Sequence, residues 1–178
     1  MNTLRLIFAV TLAALLAACG GGEADPRQVV VAFYGDSITA GRAADIAAGA
    51  FQVQDFARPA QNSDAPLSPD DRSTITVLRY GMADIVHHIP PEVTRLHLLA
   101  LVAQIVALGR TPVVVNISRA DDGRERATNE AIRDITTINV ADIEGTTVDG
   151  IHPTDAYHAA LNARIHTALL TVLRSATP

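Results

Sequence analysis

A serine hydroxyl attacks well only when a base removes its proton. A histidine can be that base if a carboxylate fixes its tautomer and steadies the imidazolium. The sequence holds one serine placed for such a role. Ser37 stands in Gly35-Asp36-Ser37-Ile38-Thr39, directly after an apolar run. Gly35 permits a tight turn, and a helix start after it would offer backbone N–H groups. Near the other end of the chain, Asp149-Gly150-Ile151-His152-Pro153 puts a carboxylate and an imidazole three residues apart. That spacing lets the carboxylate reach a ring nitrogen. Ser37, His152 and Asp149 are therefore candidates for nucleophile, base and orienting group.

The elements that must bring them together alternate along the chain. Residues 28–34 include Val29, Val30, Val31, Ala32, Phe33 and Tyr34, an unbroken apolar run that predicts a strand buried on both faces. Residues 51–56, 74–80 and 111–117 read as further strands, and 136–141 as a short fifth. The Ala-rich stretch 38–50 is helix-permissive, whereas 57–71 carries three prolines and reads as loop. Pro90-Pro91-Glu92 suits a helix start and Gly109 a stop. Between them Val93, Leu96, Leu99 or Ala100, Ala103 and Val106 recur at helical spacing. Residues 124–133 predict a polar helix. Thr154 can cap a last helix whose stripe is Tyr157, Leu161, Ile165, Leu169 and Val172. Continuously apolar strands alternating with helices predict a parallel sheet covered on both faces, with sites at the carboxyl ends of the strands. Both motifs fall at such ends.

In this order, at the two ends of an α/β domain, the motifs resemble those of the SGNH (GDSL) hydrolase family. The likeness covers most of residues 28–173. It implies a flavodoxin-like three-layer sandwich with about five parallel strands and helices on both faces. It also implies a serine esterase that cleaves carboxylic esters through an acyl-enzyme on Ser37, with His152 as base, Asp149 orienting it, and no cofactor. The Ser37 backbone N–H would be one oxyanion donor. Two family blocks depart here. In Ala57-Arg58-Pro59-Ala60-Gln61-Asn62-Ser63, the family's glycine, a backbone donor, is matched by Ala60. In Gly81-Met82-Ala83-Asp84, the family's asparagine, a side-chain donor, is replaced by Ala83. Losing one such donor costs about 10²–10³ in rate. Asn62 and Asn116 are candidate substitutes. The competing reading is a catalytically weak or inactive binding module at the cell envelope. Short loops between residues 40 and 74 predict an open, shallow site suited to small acyl groups such as acetyl, on sugar or lipid esters.

The 178-residue length is that of one domain, and 48% hydrophobic residues suffice for a core, which must be aliphatic because aromatics are 4% and Trp is absent. The net charge of −5, without a basic run, argues against nucleic acid. Leu6–Ala18 is an apolar run of 13 residues, short of the roughly 20 needed to span a membrane. It leads into Leu16-Ala17-Ala18-Cys19-Gly20, which resembles a bacterial lipobox. Residues 1–18 thus read as a lipoprotein signal peptide, Cys19 as the lipidated residue, 19–27 as a flexible tether, and 28–178 as the hydrolase domain. The expected location is the bacterial cell envelope, with the membrane reached through the lipid. Cys19 is the only cysteine, so no disulfide is expected. Asp36 reads as a structural residue bonding its own loop. His87 and His88 are adjacent and do not face one another, so no metal site is expected there. His97, His158 and His166 read as surface positions on helices, Asp121-Asp122-Gly123 as a turn, and Arg58 and Arg119 as solvated loop residues.

Overall fold

Residues 29–175 are described by a computed structural model. The expected signal segment, Cys19 and the tether lie outside the described residues. Four parallel strands run in the order β2-β1-β3-β4, namely Gln52–Asp55, Val30–Gly35, Ile75–Arg79 and Thr111–Val114. The chain goes from central β1 out to β2 on one side, then back across to β3 on the other. That reversal at β1 is a topological switch point, where open α/β sheets form crevices. Ser37 follows β1 by two residues.

Alternation along β1 and β3 sorts the core into two layers. Val31, Phe33, Ile75 and Val77 face one side, where α1 (Ala43–Ala47) and α5 (Asp155–Ser175) cover them. Ala32, Tyr34, Leu78 and Tyr80 face the other, beneath α3 (Pro91–Ala107). The short α2 (Met82–Val86) follows β3 and α4 (Arg126–Ala131) precedes the 138–140 segment. This is the expected three-layer arrangement, with two corrections to its parts.

The fifth strand is reduced to a single parallel bridge, Val115 to Ile138. Side chains replace the rest of the ladder there. Thr137 Oγ1 accepts from Val114 N, and Asn116 Oδ1 accepts from Val140 N. The second correction concerns α3. Its buried residues are Thr94, Leu98, Leu101, Val102 and Ile105, whereas Leu96 and Val106 are exposed. Apolar residues surround this helix, so spacing alone does not select the inward face. The last helix behaves as its sequence indicates. Tyr157, Leu161, Ile165 and Leu169 are buried, Leu173 ends the row in place of the expected Val172, which is only partly buried, and Thr154 Oγ1 accepts from Tyr157 N at 3.4 Å.

Inward placement of Leu98 has a thermodynamic consequence. Leu98→Ala should lower unfolding free energy by about 2–5 kcal/mol, whereas Leu96→Ala should stay within about 0.5 kcal/mol. Urea unfolding of the two variants checks this.

Candidate active site

Gly35 and Asp36 fix the turn at the carboxyl end of β1. A Cβ on Gly35 would collide with Arg79 O and Thr39 Oγ1, so close approach of β3 requires glycine there. Asp36 is 2% exposed. Its Oδ1 accepts from Ile38 N at 3.1 Å, as a loop-bonding residue should. Its Oδ2 also accepts from Met82 N at 3.0 Å and Ala83 N at 3.2 Å, across the sheet top. Burial pushes the Asp36 carboxyl up from its usual range, while the Ala83, Ile38 and Met82 N–H groups and the Arg79 charge pull it back. Thr39 N and Ala40 N close the turn onto Asp36 O.

Ser37 Oγ lies 2.9 Å from His152 Nε2, and His152 Nδ1 lies 2.7 Å from Asp149 Oδ2. The histidine arrives on a loop built as a small hairpin. Val148 N donates to His152 O and Thr154 N to Thr146 O, with Thr147 and Pro153 bridged. Gly150, at φ +86°, turns the tip, and its N–H donates to Thr147 Oγ1. Asp149 Oδ1 accepts from Ile151 N and His152 N. The His152 N–H and side chain, with the Ile151 N–H, hold the Asp149 carboxyl down at about 2. With Nδ1–H donating to this carboxylate, the Nε2 lone pair faces the Ser37 hydroxyl.

The structure thus brings Ser37, His152 and Asp149 into one chain of hydrogen bonds. Ala60 adopts φ +58°, the left-handed conformation that favours glycine, at a cost of about 1–2 kcal/mol. Arg58 N donates to Gly35 O and ties this loop to β1. Neither Ser37 N–H nor Ala60 N–H has a hydrogen-bond partner among the described residues. Ala83 is buried and brings no polar side chain.

The two asparagines differ. Asn116 is committed at both ends, Nδ2 donating to Asn139 Oδ1 and Oδ1 accepting from Val140 N, each at 2.7 Å. Asn62 has its Oδ1 held by His87 Nδ1 at 2.6 Å, and its Nδ2 has no partner among the described residues. His87 therefore orients an amide, and no His/Cys/Asp/Glu group among the described residues could hold a metal ion.

The histidines expected at the surface are placed otherwise. His158 is buried, and the half-buried His166 donates from Nδ1 to Ile46 O. His97 Nδ1 lies 3.0 Å from Ser63 Oγ, which itself donates to Asp84. His97 and His166 each fill a polar need of their helix seams that spacing does not reveal. Asp84 also accepts from Ser63 N and Thr94 Oγ1, so it pins the Ala60 loop to α2 and α3. Arg79, at the end of β3, is buried with both terminal nitrogens unpartnered among the described residues. A charge in an apolar strand run was the only sequence signal for it. Arg58 donates to carbonyls of its own loop, and Arg119 lies 3.8 Å from Glu144.

Lowering of the Asp149 carboxyl sets a pH dependence. The stabilisation from its ionised form is complete above its ordinary value of 3.8 and is lost as pH falls to about 2. Acid titration of the unfolding midpoint should show Asp149→Asn less stable than the parent above that window and converging with it below.

No protein-family model matches the sequence, and no functionally curated protein matches it. Solved structures do match the fold. A lipase/acylhydrolase from Enterococcus faecalis is 18% identical, with 82% of this chain and 97% of that one aligned at a TM-score of 0.67. A carbohydrate esterase family 3 structure from Talaromyces cellulolyticus is 15% identical over 83% and 99%, at 0.65. A member of the lipolytic G-D-S-L family from Veillonella parvula is 14% identical over 81% and 97%, at 0.61. The chain has the α/β fold of these hydrolase structures along nearly their whole length.

Proposed function

We propose that the protein is an SGNH-type serine esterase, and the 2.9 Å contact between Ser37 Oγ and His152 Nε2 carries this reading. Ser37 Oγ attacks the ester carbonyl carbon while its proton passes to His152 Nε2. Negative charge collects on the carbonyl oxygen, where the Ser37 and Ala60 N–H groups are the available donors. The carbon–oxygen bond to the alcohol breaks, and His152 returns the proton to the departing oxygen. A water then attacks the acyl-enzyme, giving its proton to His152, and the acid leaves as Ser37 recovers its hydrogen. Asp149 keeps Nδ1 protonated and balances the imidazolium. The acyl group is small, acetyl being the type case, because the loops around Ser37 are short. The likeness to a carbohydrate esterase and to a lipase supports sugar or lipid esters as substrates. The lipobox-like sequence at Cys19 supports a lipid anchor at the bacterial envelope.

Asn62 supplies the donor that Ala83 lacks, by presenting the Nδ2 that His87 leaves unengaged. Its replacement by alanine should lower kcat on p-nitrophenyl acetate about 10²-fold with little change in KM. The absent asparagine at position 83 also favours a second reading, a binding module with little turnover. A fluorophosphonate probe separates the two. The parent should be labelled and Ser37→Ala should not. Failure to label the parent, with p-nitrophenyl acetate also inert, would contradict the esterase reading and favour the binding module.

A further inference from the structure

Arg79 carries a charge that the ester chemistry does not use and that is almost sealed from water. It stands at the end of β3 and is 4% exposed. We propose that Arg79 is a positioning residue, the counter-charge of Asp36, and that through Asp36 it holds the turn that carries Ser37. The proposal rests on the esterase reading for its effect on turnover but not for the pairing of charges.

The backbone of Arg79 already grips that turn at both ends. Its Cα pairs with that of Gly35 in the sheet, two residues before Ser37. Its carbonyl oxygen accepts from Thr39 Oγ1 at 3.3 Å, two residues after. The side chain lies beside the same turn. Arg79, Asp36 and Ile38 line one small cavity of about 10 Å³, together with Ser118 beyond β4.

Charge gives this placement its purpose. Burial pushes the Arg79 guanidinium down only to about 10, so it is still protonated near pH 7. A buried cation needs an opposite charge. Its terminal nitrogens have no hydrogen-bond partner among the described residues, so that charge acts across space. The carboxylate that acts on it is that of Asp36. Conversely, burial pushes the Asp36 carboxyl up, and Arg79 is the side-chain charge that draws it back. Asp36 in turn accepts from Ile38 N, Met82 N and Ala83 N. Such bonds are roughly twice as strong to an ionised carboxylate as to a neutral acid. Removing the Arg79 charge lets Asp36 take up a proton, weakens all three bonds and loosens the Ser37 turn from α2.

Three other titratable groups feel the pair, and all are neutral near pH 7. Tyr80 feels the Asp36 charge, and Tyr157 and His158 on α5 feel that of Arg79. Burial holds both tyrosines above their ordinary value and His158 down at about 4. Asp84 of α2 acts on Tyr80 and is itself engaged by Ser63 and Thr94, while Arg42, Asp155 and His152 act on His158.

Titration of the Asp36 carboxyl by carbon-13 NMR tests this. Arg79→Met keeps an unbranched side chain and removes the charge. The Asp36 midpoint should rise by about one pH unit or more. Between the parental and the new midpoint, kcat on p-nitrophenyl acetate should fall about tenfold with KM little changed. It should return to the parental value as pH rises past the new midpoint. A purely structural role would cost the same factor at every pH. That result, an unchanged Asp36 midpoint in Arg79→Met, or an Asp36 already protonated in the parent at neutral pH would overturn the proposal. If the variant does not fold, the parent decides: its Arg79 Nε signal should move with the Asp36 midpoint, and a signal that stays still overturns the proposal. If the parent cleaves no ester, the esterase reading fails by itself, and the two titrations still decide the charge pair.

Discussion

Three backbone N–H groups from two separate segments end on one buried carboxylate, that of Asp36. This anchor fixes the turn that carries Ser37 against the start of α2. A carboxyl group so buried is tolerated only when its oxygens are paired, and here backbone donors do the pairing. The arrangement makes the nucleophile's position a property of the sheet top rather than of a loose loop. Gly35 extends the same constraint, since β3 passes too close for any side chain. A replacement at position 36 would leave donors facing nothing and release the turn and α2 together.

The other half of the site is held differently. Asp149 and His152 are substantially exposed, and packing does not fix them. Their loop is stiffened by its own hydrogen bonds, with the antiparallel pairing of residues 146–148 and 152–154 at its base. The rows of Tyr157, Leu161 and Ile165 seat α5 on the sheet, and the loop inherits its position from that helix. Tyr157 adds a polar link, accepting from Arg119 N and donating to Ile143 O. A rigid buried turn thus meets a self-braced surface loop at the Ser37–His152 contact. The Ala60 loop joins from a third side through the Asp84 carboxylate, which gathers Ser63 and Thr94.

What the sequence made legible follows the range of the interactions. Gly35 with Ser37, and Asp149 with His152, lie in two short motifs whose spacing is local, so each pair could be read directly, whereas the meeting of the two motifs across 115 residues was an expectation from the family resemblance. Parallel strands with continuous apolar runs likewise declared the α/β fold. Asp36 was readable only in part, because its bond to Ile38 is local while those to Met82 and Ala83 are set by tertiary structure. The inward face of α3 was hidden because apolar residues surround the helix, and the spacing put Leu96 on the stripe where the structure buries Leu98. His158 gave no local sign of burial, and Arg79 gave only that of a charge inside an apolar strand run. The fifth strand failed for a similar reason, its ladder being supplied by Thr137 and Asn116 side chains that no strand pattern encodes.

The account turns on a covalent bond at Ser37. Mixing the protein with p-nitrophenyl acetate, quenching in acid within the first turnover and sequencing the peptides by mass spectrometry tests it most directly. One acetyl group on the Ser37 hydroxyl, absent when His152 is replaced by alanine, is the predicted result. Rapid turnover of the ester with Ser37 unmodified, or with the acetyl group on another residue, would contradict it.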